Sequence, residues 1–191
     1  SDVCSSDLSG NININTGTTG TNTHLFCVND VTNSSFTMSG GTIAMVKPNT
    51  MGFTNFDVGI CGTNGTVITT GGIIQYGTAA TLTSGIYFSF VPLPNATYPN
   101  FYVTGPSGIA VTVGASVNST ANFKLLSLNI DPNKGFDIRS VAGTAGDSKQ
   151  MTLMGSYPST TDGFINNGTF YQRFGKVIFN GTVPQNISGS T

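Results

Sequence analysis

Phe36-Thr37-Met38-Ser39-Gly40-Gly41-Thr42-Ile43-Ala44-Met45 and Val67-Ile68-Thr69-Thr70-Gly71-Gly72-Ile73-Ile74-Gln75-Tyr76 share one pattern. In each, apolar and small polar residues alternate, a Gly-Gly pair interrupts, and the alternation resumes. A period of two puts every second side chain on one face of an extended strand, and the glycines mark a tight corner between two strands. Looser versions follow at Tyr102 to Val113 around Gly105 and Gly108, at Leu128 to Ile138 around Gly135, and at Phe164 to Phe170 around Gly168. The interval from Gly41 to Gly72 is bracketed by two others, Gly108 to Gly135 being a little shorter and Gly135 to Gly168 a little longer. All three fall within the span of roughly 20–50 residues at which self-similarity marks solenoids, propellers and arrays.

Working outward, other segments repeat the alternation. Phe56, Val58 and Ile60 share one face, as do Ile86, Phe88 and Phe90; Ile109, Val111 and Val113; Leu126, Leu128 and Ile130; and Val177 and Phe179. Each set drops one apolar row into a core, which predicts that Leu128 and Phe179 both point inward. Ile12 and Ile14 alternate with Asn in a polar lead-in that reads as a narrow rung or a loop. Val91 to Asn95 and Tyr157 to Gly163 read as loops, since proline does not serve in an interior ladder. Asn64-Gly65, Asn167-Gly168 and Asn180-Gly181 tolerate the positive φ of tight connections. They suit the corners of a parallel β-helix or the hairpins of an antiparallel β-sandwich; the recurring but unequal spacing favours the solenoid.

Thr, Asn, Ser and Gly make up about half of the 191 residues, whereas charged residues are 8% and Glu is absent. Such a surface is solvated by hydroxyls and amides, and the plentiful Thr, Val, Ile, Phe and Tyr favour strands over helices. The formal charge is −1 and no Lys/Arg cluster exists, which argues against nucleic acid as a partner. No apolar run reaches the roughly 18 residues of a membrane helix, so membrane insertion is not expected.

The C-terminal stretch reads Asn166-Asn167-Gly168-Thr169-Phe170, then Gly175-Lys176-Val177-Ile178-Phe179-Asn180-Gly181-Thr182, then Gln185-Asn186-Ile187-Ser188-Gly189-Ser190-Thr191. From about Ser35 onward, this order of motifs resembles the rungs of β-solenoid segments in very large secreted and surface proteins of Bacteroidota. The resemblance implies an all-β, right-handed parallel β-helix, export to the cell surface (commonly by the type IX route), and a role in adhesion or as a spacer. It implies as partners the neighbouring rungs of the same longer chain and, on the surface, glycans or proteins of other cells. The chain departs from the pattern in carrying extra residues at Phe88 to Pro99 and in lacking the family's C-terminal sorting domain. Ser1-Asp2-Val3-Cys4-Ser5-Ser6-Asp7-Leu8 resembles a translated sequencing-library adapter. Residues 1–8 are therefore expected to lie outside the fold, and 9–191 to form one β-solenoid domain, a fragment of a longer chain.

Chemistry is thin. The aspartates Asp30, Asp57, Asp131, Asp137, Asp147 and Asp162 include none at i, i+1 or i, i+2. Asp137 with Arg139 is the best local pair and reads as a surface ion pair of little energetic weight. His24 is the only histidine, and no Cys-x-x-Cys spacing exists. No catalytic, cofactor-binding or metal residue is therefore assigned, and no cofactor is expected. Asp131-Pro132-Asn133 and Gly143 to Asp147 carry oxygen ligands in loops but match no calcium motif; they read as Asx turns. Cys27 and Cys61 are separated by close to the repeat spacing, and either bridge adjacent rungs or pack as thiols. Seven Asn-x-Ser/Thr sequons, at Asn33, Asn64, Asn95, Asn118, Asn167, Asn180 and Asn186, follow from the Asn and Thr content. Tyr87, Tyr98, Phe101, Tyr102, Tyr157 and Tyr171 are candidates for a carbohydrate platform, a reading weakened by the absence of Trp. The expected function is a stiff, uncharged, non-enzymatic rod at the bacterial cell surface. The alternatives are a carbohydrate-active β-helix enzyme and a glycan-binding module.

Overall fold

The computed structural model describes residues 11–14, 26–28, 35–47, 58–60, 66–81, 86–90, 92, 96–115, 121–138, 149–173 and 175–190. Among them there are strands, turns and no helix. Numbered in chain order, the strands fall on three faces that the chain visits in rotation. The first face is β1 (Asn11–Ile14), β4 (Thr42–Met45), β7 (Ile73–Tyr76), β10 (Asn100–Val103), β13 (Leu128–Ile130), β16 (Asp162–Asn166) and β19 (Asn186–Ser188), hydrogen-bonded in that order. The second is β2 (Phe26–Val28), β5 (Val58–Ile60), β8 (Ile86–Phe90), β11 (Val111–Ala115), β14 (Lys134–Asp137) and β17 (Thr169–Tyr171). On the third, β3 (Ser35–Met38) pairs with β6 (Thr66–Thr69), while β9 (Thr97–Tyr98), β12 (Phe123–Leu125), β15 (Gln150–Leu153) and β18 (Lys176–Phe179) form one ladder. β6 lies against β9, so this face is also continuous.

Every pairing among these strands is parallel, and no hairpin joins consecutive ones. The molecule is a parallel β-solenoid, and the antiparallel sandwich is excluded. Thr42 stands opposite both Asn11 and Ile73, so the spacing from Gly41 to Gly72 is the coil length there. Later coils vary: the coil from Phe101 to Leu128 is shorter, that from Leu128 to Phe164 is the longest, and that from Phe164 to Ile187 is the shortest. Gly135 stands opposite Thr112 and Thr169, so Gly108, Gly135 and Gly168 do not stack. Only the first of the three glycine intervals is therefore a coil.

Parallel register stacks like side chains, because paired residues point to the same side of their sheet. Ile43, Ile74, Phe101, Leu128 and Phe164 make one inward row, and Met45, Tyr76, Val103 and Ile130 make its neighbour. The second face contributes Phe88, Val113 and Phe136, and the third Tyr98, Leu125 and Leu153, all fully buried. The rows meet in an aromatic cluster around Phe90, whose ring lies 5.1 Å from both Phe101 and Phe123, edge to face, and 5.5 Å from Tyr98. Such pairs contribute about 0.5–1.5 kcal/mol each beyond the area they bury.

The corners show what the glycines do. Gly41 and Gly72 have φ of 73° and 82°, a region open to glycine, and a Cβ on Gly71 would run into the Ser39 carbonyl of the coil below. Gly168 serves differently. Neither it nor Gly181 has positive φ, contrary to the expectation for the Asn-Gly pairs. A Cβ at Gly168 would instead meet the carbonyls of Lys134 and Asp131, so close backbone approach demands the glycine.

Three expectations about rows change. Leu126 is only half-buried because it and Ser127 form the corner between β12 and β13, and Leu125 takes the inward place. Phe179 does continue the row Tyr98, Leu125, Leu153, yet it is 37% exposed. Among the described residues β18 is the outer strand of its ladder, and none of their strands covers that ring on its outer side. Of residues 88–99, read as additions, Phe88–Phe90 of β8 and Thr97–Tyr98 of β9 belong to the ladders, and residues 91 and 93–95 lie outside the described residues. Residues 1–8, Phe56, His24, Arg139, Asp147, Cys61 and the proposed Cys27–Cys61 bridge lie outside the described residues.

Candidate functional site

Outward rows carry the polar chemistry. On the first face Gln75, Tyr102 and Asn129 stand in register, each flanked along its strand by inward residues. Just past the strand ends, Thr104 and Asp131 have the same separation as Tyr102 and Asn129, and so stack likewise. The Tyr102 hydroxyl donates to Asp131 Oδ2 at 2.7 Å and the Thr104 hydroxyl donates to the same oxygen at 2.5 Å. From the corner between β15 and β16, Tyr157 reaches back to this row, its ring 6.0 Å from that of Tyr102, edge to face. The Asn129 side chain lies near the Tyr157 hydroxyl and opposes the rise in its pKa.

The electrostatics follow from burial. The Tyr157 hydroxyl is pushed up to about 12, chiefly by burial and then by the neighbouring Tyr102 and Asp131. The Tyr102 hydroxyl is also raised, by burial first and by its bond to Asp131, with the Thr104 contact opposing. Lys134, 3% exposed, has its Nζ on the carbonyls of Pro106 (3.1 Å) and Ile109 (2.7 Å). Burial lowers its ammonium pKa and the charge of Asp131 partly offsets this. Both phenols thus stay neutral donors through the physiological range.

A second cluster lies on the outer side of the second face. Asp137 accepts a two-pronged bond from Arg173, with Nε to Oδ1 at 3.0 Å and Nη2 to Oδ2 at 2.8 Å, which holds the guanidinium firmly charged. The Arg173 guanidinium also lies 5.3 Å from the centre of the Tyr171 ring. Tyr171 lies beside Gly135, and Tyr87 fills the space over Gly114, where a Cβ would strike its hydroxyl. Asp137 thus bonds Arg173 of the next coil, while Arg139, which the sequence suggested beside it, lies outside the described residues.

Of the six candidate platform aromatics, Tyr98 and Phe101 are fully buried in the core and are removed from the list. Tyr102 and Tyr157 come together on one face, and Tyr87 and Tyr171 lie on another. Sequence reading missed Thr104, Asn129 and Arg173. The length of this coil, applied forward from Tyr102 and Thr104, places Asn129 and Asp131 above them; no comparable signal marks Arg173.

Among the described residues no group of three His, Cys, Asp or Glu side chains stands together, and no helix is long and apolar enough to cross a membrane. Comparison with protein-family models, curated proteins and solved structures finds no match to this chain.

Proposed function

We propose that the chain is a non-catalytic structural and adhesive segment of an extracellular bacterial surface protein, a stiff rod whose working property is its stacking. The observation that carries this reading is where the polar side chains go. Asp131 binds Tyr102 and Thr104, Asp137 binds Arg173, and Asp162 accepts from Ser188 at 2.8 Å, each across roughly one coil. Asn100 and Ser127, Lys134 and Ile109, Thr81 and Val46, and Gln185 and Gly155 do the same. All three described aspartates are thus engaged in joining coils. A pair of carboxylates serving as general acid and base needs a gap between them for the substrate. In a solenoid each coil buries its apolar rows only against its neighbours, so coil-to-coil bonds act directly on stiffness. The export route and the bacterial source rest on the resemblance of the C-terminal motifs.

The test pairs scattering with a substrate screen. Small-angle scattering of the purified chain should fit a stack about 30 Å long, six strand spacings for the seven strands of the first face, and incubation with pectin, alginate, cellulose and chitin should release no reducing ends. Release of product that is abolished by Asp131→Asn or Asp137→Asn would falsify the non-catalytic reading.

A further inference from the structure

One edge of the solenoid carries a long corner. Between the third and first faces, β9 and β10 are joined by Pro99 alone, β12 and β13 by Leu126 and Ser127, and β18 and β19 by residues 180–185, whereas β15 and β16 are separated by the longest connection of that edge, residues 154–161. Additions to one repeat of a solenoid form loops on one face, and that face often binds. This loop is built and held. Tyr157 N–H donates to the Asp162 carbonyl at 2.8 Å, Thr160 N–H to the Tyr157 carbonyl at 3.0 Å, and Thr160 Oγ1 to that same carbonyl at 2.9 Å. Its effect is to set Tyr157 against Tyr102, two strands away across the outer side of the first face.

We propose that Tyr102, Tyr157, Asn129 and Asp131 form a binding site for a neutral saccharide chain. Two half-buried phenol rings, edge to face, offer apolar surface for the C–H groups of a sugar ring and hydroxyls for its edge. Asp131 uses only Oδ2 for Tyr102 and Thr104; its Oδ1 has no partner among the described residues and faces the task of accepting a hydroxyl. Asn129 Oδ1, on the same row, also lacks a hydrogen-bond partner. Asn129 Oδ1 is closed off from solvent beneath the pair, so the acceptor open to a sugar hydroxyl is Asp131 Oδ1. Lys134, the cation whose field reaches Asp131, has its Nζ on two backbone carbonyls. A carboxylate without an outward cation repels uronates and sialates, so the chemistry selects an uncharged glycan. The second cluster, with Arg173 beside Tyr171, shows no such loop among the described residues and serves as the internal control.

This deepens the adhesive part of the proposed function and fails separately from it: product release would overturn the non-catalytic rod, whereas absence of binding by an intact, folded chain would overturn this site alone. The experiment titrates the full chain with cellohexaose, xylohexaose, mannohexaose and chitohexaose, and with hexagalacturonate as the anionic comparison. Calorimetry and tyrosine fluorescence are the readouts, the latter free of background because the chain has no Trp. We expect one or more neutral hexaoses to bind with Kd below about 1 mM. Tyr157→Ala and Asp131→Asn should each weaken that binding about tenfold or more, and Tyr171→Ala should leave it unchanged. Thermal melting of each variant separates loss of the site from loss of the fold, and Asp131→Asn, which keeps the side chain's shape, preserves the test if Tyr157→Ala melts early. The site is overturned if no neutral hexaose binds, if binding survives both substitutions, if hexagalacturonate is preferred, or if Tyr171→Ala abolishes binding.

Discussion

The middle of the rod and its C-terminal coil carry the same rows with different consequences. Phe101, Leu128, Phe136 and Leu153 are fully buried, with a coil on either side. Further along the same rows, Phe179 is 37% exposed and Ile187 66%. The apolar character is kept, and so is the register of β15 with β18, although a bulge shifts β19 against β16 between Asp162 and Phe164; for Phe179 the number of neighbouring coils is what changes. Burial in a solenoid is therefore a property of position in the stack. A period-2 apolar pattern tells which way a side chain points and leaves open how much water it loses.

The largest expected effect tests the middle. Leu128→Ala removes a fully buried side chain between Phe101 and Phe164 and should cost about 2–5 kcal/mol in urea unfolding. A cost below about 1 kcal/mol, by contrast, would mean that interior coils relax as freely as the terminal one.

The second prediction moves the comparison to polar joints. Asn100 sits buried at its corner, its Nδ2 donating to the Gly72 carbonyl at 2.6 Å and its Oδ1 accepting from the Ser127 hydroxyl at 2.6 Å. Asn100→Ala leaves the buried Ser127 hydroxyl without its acceptor, while the Gly72 carbonyl keeps the residue-100 main-chain N–H, and should cost about 1–3 kcal/mol. Asn186, which donates to Thr161 at 2.8 Å on the exposed terminal coil, is the matched case. There water replaces the lost bond, so Asn186→Ala should stay within about 0.5 kcal/mol. Equal costs at the two sites would show that the position of a joint in the stack does not set its value.

The third concerns the loop between these regions. Tyr157 is raised to about 12 in the folded chain against an ordinary value of 10.0. Below pH 10 both states hold the proton and the full contribution is present; above it the unfolded chain releases the proton first, and stability falls until the folded pKa is passed. Urea midpoints should therefore drop between about pH 10 and pH 12 by more in the parent than in Tyr157→Phe. Because the ring is only half-buried the drop should be modest. Parallel pH profiles for the two proteins would place the alkaline sensitivity elsewhere.

Much of this architecture is legible in the sequence. The two Gly-Gly corners lie one coil apart, and the apolar alternation named the inward residues of β8, β11 and β13. What failed did so for physical reasons. Leu126 broke its row because a corner rotates the chain within two residues, and sequence periodicity does not register that turn. Tyr98 and Phe101 looked like surface aromatics because a core of stacked coils uses tyrosine and phenylalanine alike. Gly168 looked like a φ requirement and is a contact requirement, which depends on the carbonyls of a neighbouring coil. The Asp131 cluster was half visible: its parts repeat at one coil length, but Tyr157 joins them through a loop that no repeat encodes.

The last comparison is the most discriminating, because it asks whether the terminal coil accepts a further coil. Phe179→Ala should cost only about 1 kcal/mol in dilute solution, since its ring already keeps a share of its contact with water. β17, β18 and β19 each end their ladders, however, and an unpaired strand edge beside exposed apolar side chains is a template for another strand. When two copies meet at this face, a strand pairs with β18 and Phe179 enters the environment that Leu153 has within the stack. The cost of Phe179→Ala should therefore grow with protein concentration, and sedimentation should show association over the same range. Ile187→Lys, which sets a charge on the edge of the first face, should suppress both. A Phe179→Ala cost that stays constant from micromolar to millimolar protein, with a monomer throughout, would show that the C-terminal coil is closed to a further coil despite its exposed row.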